Sequence, residues 1–212
     1  NDSLIIPTMK KNNLVIVYKC FFLILIFSEV SSGQTVEPHF SEAGKIKLET
    51  PYIEQTKFIK WYYDSTFYEN ARHTRSFECQ KIFYKSDTAT VEAWLYKPLV
   101  TGIEKLPVII YNRGGNGNFG NLTETNLVDF YKMAENGYLV IATKTRFAGI
   151  NGKYDQHGGI DVNDIVALKT IYTSLSYADT ANVFMYGFSR GGQNTYQASL
   201  KMKLNAIVVT AG

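Results

Sequence analysis

Gly187-Phe188-Ser189-Arg190-Gly191 fits G-x-S-x-G, the spacing of a turn that lifts a serine hydroxyl clear between the end of a strand and the start of a helix. Glycine is needed on both sides because the turn is strained and the helix must approach the strand closely. A serine placed this way does acyl transfer: its hydroxyl attacks a carbonyl, an acyl-enzyme forms, and water releases it. Five residues alone are weak evidence, so the context decides. The pentapeptide closes the apolar run "ANVFMYGF" (181–188) and opens "RGGQNTYQASLKM" (190–202), which has helical spacing.

Negative charge developing on the attacked carbonyl has to meet donors already in place. The main-chain N–H of Arg190, just after the serine and at a helix N-terminus, is one such donor. A second is expected from the loop "YNRGGNGNFG" (111–120), whose four glycines leave backbone N–H groups free to point at a ligand, Gly114 or Gly115 first among them. The other reading of this loop is a flexible connector. Arg113 either clamps a substrate carboxylate with its bidentate fork or pairs with a nearby acid to hold the loop. His157 sits in a glycine loop ahead of the serine and reads as structural, and neither His39 nor His73 is a better base. Asp161 and Asp164 read as helix-starting residues whose charge suits the helix N-terminus.

Elements able to position these groups follow from hydrophobic patterning. "FECQKIFYKS" and "TATVEAWLYKP" read as two antiparallel strands. "KLPVIIYN", "YLVIATKT", "ANVFMYGF" and "NAIVVTAG" are short apolar runs of the kind buried in parallel sheets. Between them, "NLTETNLVDFYKMAENG" and "DVNDIVALKTIYTSL" have helical spacing, and Gly137 stands where the first of these should end. Alternating strands and helices predict a doubly wound, mostly parallel α/β sheet with an antiparallel start. Residues 34–76 form a lead-in without strong periodicity, expected to be helical around 52–68 and to pack Trp61 and Phe67 on the domain.

The remaining composition bounds the rest. The 212 residues are 45% hydrophobic and 19% charged, the balance of one globular domain with a real core. A net charge of +3 without clustered Lys and Arg makes nucleic acid an unexpected partner. Met9 is followed by Lys10, Lys11 and Lys19, the apolar run "CFFLILIF" (20–27) and small residues to Gly33, the pattern of a secretory signal peptide cleaved before Gln34. Residues 1–8 precede that methionine and read as upstream sequence. The apolar run is short for a membrane span, so no stable membrane insertion is expected after cleavage, and the protein is expected to be periplasmic or secreted. Cleavage leaves Cys79 as the one cysteine, read as a small buried hydrophobe on a strand.

"LPVIIYNRGGNG", "HGGIDVNDIVAL" and "NVFMYGFSRGG", in this order and spacing, resemble three motifs of the α/β-hydrolase fold as found in the prolyl oligopeptidase family of serine hydrolases. The resemblance covers residues 77–212. It implies a serine hydrolase with Ser189 as nucleophile, the Arg190 N–H as oxyanion donor, and Arg113-Gly114-Gly115 where relatives have a "HGG"-like or Tyr-bearing oxyanion loop. It implies no metal or cofactor. The fold places the triad Asp and then His after the nucleophile, so both are expected beyond residue 212, the chain being a C-terminally truncated catalytic domain that is inactive alone. Residues 34–76 are too few for the propeller many relatives carry, so small esters and acylated sugars stand beside peptides as expected substrates. A secreted, non-catalytic binding domain on the same fold is the alternative.

Overall fold

The computed structural model describes residues 39–99, 105–148 and 154–211, so the leader read at 1–33, with Cys20, lies outside the described residues. The described strands are β1 (Phe40–Ile46), β2 (Phe77–Ser86), β3 (Ala89–Pro98), β4 (Leu106–Asn112), β5 (Leu139–Thr143), β6 (Ala178–Phe188) and β7 (Ala206–Thr210). They make one sheet in the order β1-β2-β3-β5-β4-β6-β7. The β1–β2, β2–β3 and β3–β5 pairs are antiparallel, whereas β4–β5, β4–β6 and β6–β7 are parallel. The chain winds outward from β4 to β5 and then returns past β4 to β6. The reversal opens a crevice beyond the carboxyl ends of β4 and β6, where open α/β sheets bind ligands.

Five α-helices flank the described sheet: α1 (Lys57–Tyr62), α2 (Ser65–His73), α3 (Asn126–Ala134), α4 (Asp161–Ser174) and α5 (Arg190–Ser199). On one face, Ile165, Leu168 and Ile171 of α4 pack on Ile82, Leu95, Ile110, Ile141 and Met185. On the other, Tyr68 of α2 and Val128 and Phe130 of α3 meet Cys79, Trp94, Tyr111 and Val140. β5 is buried along its whole length, as a strand covered on both faces must be. Cys79 is buried on β2, as expected of a small hydrophobe there.

Three differences from the sequence expectations have physical causes. The lead-in contains β1, an edge strand with an exposed interior and a bulge between Glu42 and Lys45, so it carries no apolar alternation to betray it. Trp61 does not pack on the domain but is 80% exposed, because α1 turns its other side inward through Ile59. β7 forms where "NAIVVTAG" predicts a strand, yet it is half-exposed: among the described residues no strand pairs with its outer edge, and Val208 is 55% exposed. No helix among the described residues is long and apolar enough to cross a membrane.

Candidate active site

Ser189 joins the end of β6 to the start of α5 with φ 52° and ψ −123°, a conformation that side-chain-bearing residues rarely adopt. Two backbone hydrogen bonds hold it. Its N–H donates to the Thr210 carbonyl of β7 at 2.8 Å, and its own carbonyl accepts from Gly192 N–H at 2.8 Å. The flanking glycines are steric necessities. A methyl group on Gly187 would stand 2.3 Å from the Gly191 carbonyl oxygen and 2.4 Å from Thr195 Oγ1, and one on Gly191 would stand 2.1 Å from the Asn112 carbonyl oxygen. Asn112 Nδ2 donates to Thr195 Oγ1 at 2.8 Å, tying the end of β4 to α5 at this close crossing.

The glycine-rich loop after β4 comes to the serine. A methyl group on Gly114 would stand 3.3 Å from Ser189 Cβ and 3.0 Å from the Phe188 carbonyl oxygen, so Gly114 lies directly against the turn. Gly115, Gly117 and Gly120 all take positive φ, the backbone freedom a tight loop of this kind requires. Among the described residues, no protein group accepts from the N–H of Gly114, Gly115 or Arg190. These are the three groups expected from sequence to face an oxyanion.

Arg113 holds the loop, as the second sequence reading had it, but through carbonyls rather than an acid. The residue is 6% exposed, and its guanidinium donates to the carbonyls of Lys144 (3.1 Å), Gly114 (3.0 Å), Phe119 (3.3 Å) and Gly117 (3.2 Å). With Nε and both Nη1 hydrogens committed to backbone carbonyls and one Nη2 hydrogen left over, it has no two-pronged fork to offer a substrate carboxylate, and none of these partners is an acid. It laces the loop to itself and to the end of β5. Burial, followed by the nearby Arg190 charge, lowers its pKa below the usual arginine value.

The side chain of Arg190 belongs to the site as well, which motif reading missed because the pattern leaves that position free. It forms ion pairs with Asp155 and Asp161, whose side chains are fully buried. Burial pushes the Asp155 carboxyl up, but the Gly117 N–H, the Arg190 guanidinium and the His157 N–H outweigh it and hold the group below the usual aspartate range. Asp161 does start a helix, as expected, and Asp164 lies in its first turn, where it binds Arg146 through both carboxylate oxygens. His157 takes a positive φ of 48°, and its Nε2 lies 2.7 Å from Asn116 Nδ2, while His73 sits at 3.3 Å from Glu69. Among the described residues, no imidazole or carboxylate is hydrogen-bonded to the Ser189 hydroxyl, and no group of three or more His, Cys, Asp or Glu could hold a metal ion.

A mostly parallel sheet with helices on both faces, an antiparallel start and a serine on a strained strand-to-helix turn defines an α/β-hydrolase fold. The described part is similar in fold to parts of solved peptidases and esterases. An acylaminoacyl peptidase in complex with Z-Gly-Gly-Phe-chloromethyl ketone is 25% identical, with TM-score 0.51 over 61% of this chain and 22% of that one. Pyrococcus horikoshii acylaminoacyl peptidase is 23% identical, with TM-score 0.54 over 68% of this chain and 24% of that one. Carboxyl esterase 2 from the mycorrhizal fungus Tuber melanosporum is 20% identical, with TM-score 0.51 over 65% and 46%. The chain thus spans about a quarter or less of the peptidases and under half of the esterase. No family model and no curated protein is similar enough to match the sequence.

Proposed function

We propose that this chain carries the nucleophile and oxyanion loop of an exported serine hydrolase that cleaves ester or peptide bonds. The observation that carries this reading is the backbone of Ser189, held at φ 52° and ψ −123° between β6 and α5 with Gly114 against it. In this reading the Ser189 hydroxyl attacks a carbonyl carbon and the carbonyl oxygen takes up negative charge. That charge is met by the Arg190 N–H and by Gly114 or Gly115 N–H, none of which has a protein acceptor among the described residues. Collapse of the tetrahedral intermediate expels the alcohol or amine, and water releases the acyl group. The acid and base come from sequence C-terminal to Gly212, and the signal-peptide pattern of residues 1–33 supports export. Similarity to peptidases and esterases alike supports an acyl substrate and leaves both leaving groups in play.

The test is covalent labelling by a fluorophosphonate in the protein extended to its natural C-terminus. Labelling that maps to Ser189 and disappears in Ser189→Ala is expected. Absence of labelling in a folded, extended protein would refute the enzyme and favour a binding domain that keeps the turn without the triad.

A further inference from the structure

An oxyanion donor in the main chain of Arg190 makes no demand on its side chain. That side chain is nevertheless only 9% exposed and reaches back over the glycine-rich loop. Its Nη1 donates to the Gly115 carbonyl at 2.9 Å, its Nη2 donates to Asp161 Oδ2 at 2.6 Å, and both nitrogens engage Asp155. Asp155 in turn accepts the Gly117 N–H at 3.0 Å and the His157 N–H at 3.3 Å. The loop is therefore gripped at two points, the carbonyl of Gly115 by the cation and the N–H of Gly117 by the anion. A trans peptide sends its C=O and N–H in opposite directions. Drawing the Gly115 carbonyl towards Arg190 thus sets the direction of the Asn116 N–H, and holding Gly117 N–H sets the Asn116 carbonyl. Gly115 and Gly117, both at positive φ, give this segment other conformations, which these contacts suppress together with those of Arg113 to the Gly114 and Gly117 carbonyls.

We propose that Arg190 and Asp155 are a positioning pair that holds the 114–117 main chain in register with Ser189. The residue whose N–H is one oxyanion donor would orient the loop bearing the other. Asp161 completes the device by pinning the second arm of the guanidinium so that it cannot swing to solvent. A buried ion pair is a poor means of adding stability, since removing both charges for apolar groups of similar volume is often neutral. Its value here is directional: each charge has a particular backbone group to hold. The proposal rests on Ser189 being the nucleophile, and its test keeps the two claims separate.

In the full-length protein, Arg190→Lys keeps the positive charge beside Asp155 and Asp161 but cannot also reach the Gly115 carbonyl with a planar fork. Fluorophosphonate labelling of Ser189 is expected to slow by about 10–100-fold, somewhat less than loss of a whole oxyanion donor. For an activated ester, kcat should fall by that factor with KM within about twofold, the signature of an interaction made in the transition state. Hydrogen exchange should quicken at 114–120 and stay unchanged in β6. Wild-type labelling and exchange in Arg190→Lys overturn the proposal. Should that variant not fold, Asp155→Asn, which has the same shape and can still accept from Gly117, is measured the same way with the same expectation. If the wild type itself resists labelling, the nucleophile reading fails, and exchange alone decides the pair: faster exchange confined to 114–120 sustains it, and unchanged exchange overturns it.

Discussion

Asp129 offers a quantitative check on the packing of the lead-in against α3. Its carboxyl is largely buried, accepts from Tyr63 OH at 2.9 Å, and has the Tyr111 hydroxyl and Lys132 as further neighbours. Burial outweighs these favourable partners and raises its pKa from 3.8 to about 6. In the unfolded chain the group ionises at its ordinary value. Between the two pKa values the native state binds the extra proton, so this residue makes stability fall as pH rises from about 4 to about 6. A shift of about two units corresponds to about 3 kcal/mol, absent at pH 3 and fully expressed at pH 7. Asp129→Asn removes the titration and keeps an acceptor for Tyr63. Denaturant unfolding of both proteins at half-unit steps from pH 4 to pH 7 should show the variant gaining on the wild type through the window, ending about 2–3 kcal/mol ahead, the wild-type carboxylate having been the costlier group. Several other carboxyls shift the opposite way, Asp155 and Glu78 among them, so the difference between the proteins is the quantity to read. Parallel curves across the window would refute the buried setting of this carboxyl.

Gly191→Ala pushes a methyl to 2.1 Å from the main chain of β4, which cannot move aside, and should destabilise by about 3 kcal/mol, the upper end of ordinary overpacking. A melting temperature equal to wild type would contradict that crossing. Ser189→Gly should abolish labelling while raising stability by about 1–2 kcal/mol, because glycine adopts the positive φ without strain; lower stability in chemical unfolding would argue against a strained turn. Arg146→Met strands the fully buried Asp164 carboxylate and should cost about 3–5 kcal/mol. Arg146→Met combined with Asp164→Leu should recover most of that loss, and a double variant no better than the single one would place the cost elsewhere.

Much of this architecture could be read in advance because its strands are buried on both faces and announce themselves as apolar runs. "LPVIIYN" and "LVIAT" lie at the centre of the sheet as β4 and β5, and the turn at Asp87 closes the β2–β3 hairpin with a positive φ. β1 escaped because an exposed edge strand has nothing to alternate against. The two glycines of the elbow and Gly114 were also accessible, since close approach leaves a compositional trace. The Arg190 network was not: Asp155 is 35 residues away, and a single charged residue in a motif's variable position says nothing about its partner. The partners of Arg113 were hidden for a related reason. Sequence invites pairing arginine with acids, whereas here the nearest acceptors are carbonyls that the loop's own curvature turns inward.

The hydrogen bond from the Ser189 N–H to the Thr210 carbonyl bears on when the turn can form. Strain of about 1–3 kcal/mol at a single residue persists only where neighbours enforce it, and one of the enforcing contacts comes from β7, the last described strand to be synthesised. A nascent chain that has made β6 and α5 but not residues 206–210 lacks that restraint, and its serine is free to relax to an ordinary negative φ. Docking of β7 along β6 then does two things at once: it extends the sheet and cocks the serine. The geometry on which reactivity would depend thus draws on a strand synthesised after the serine itself.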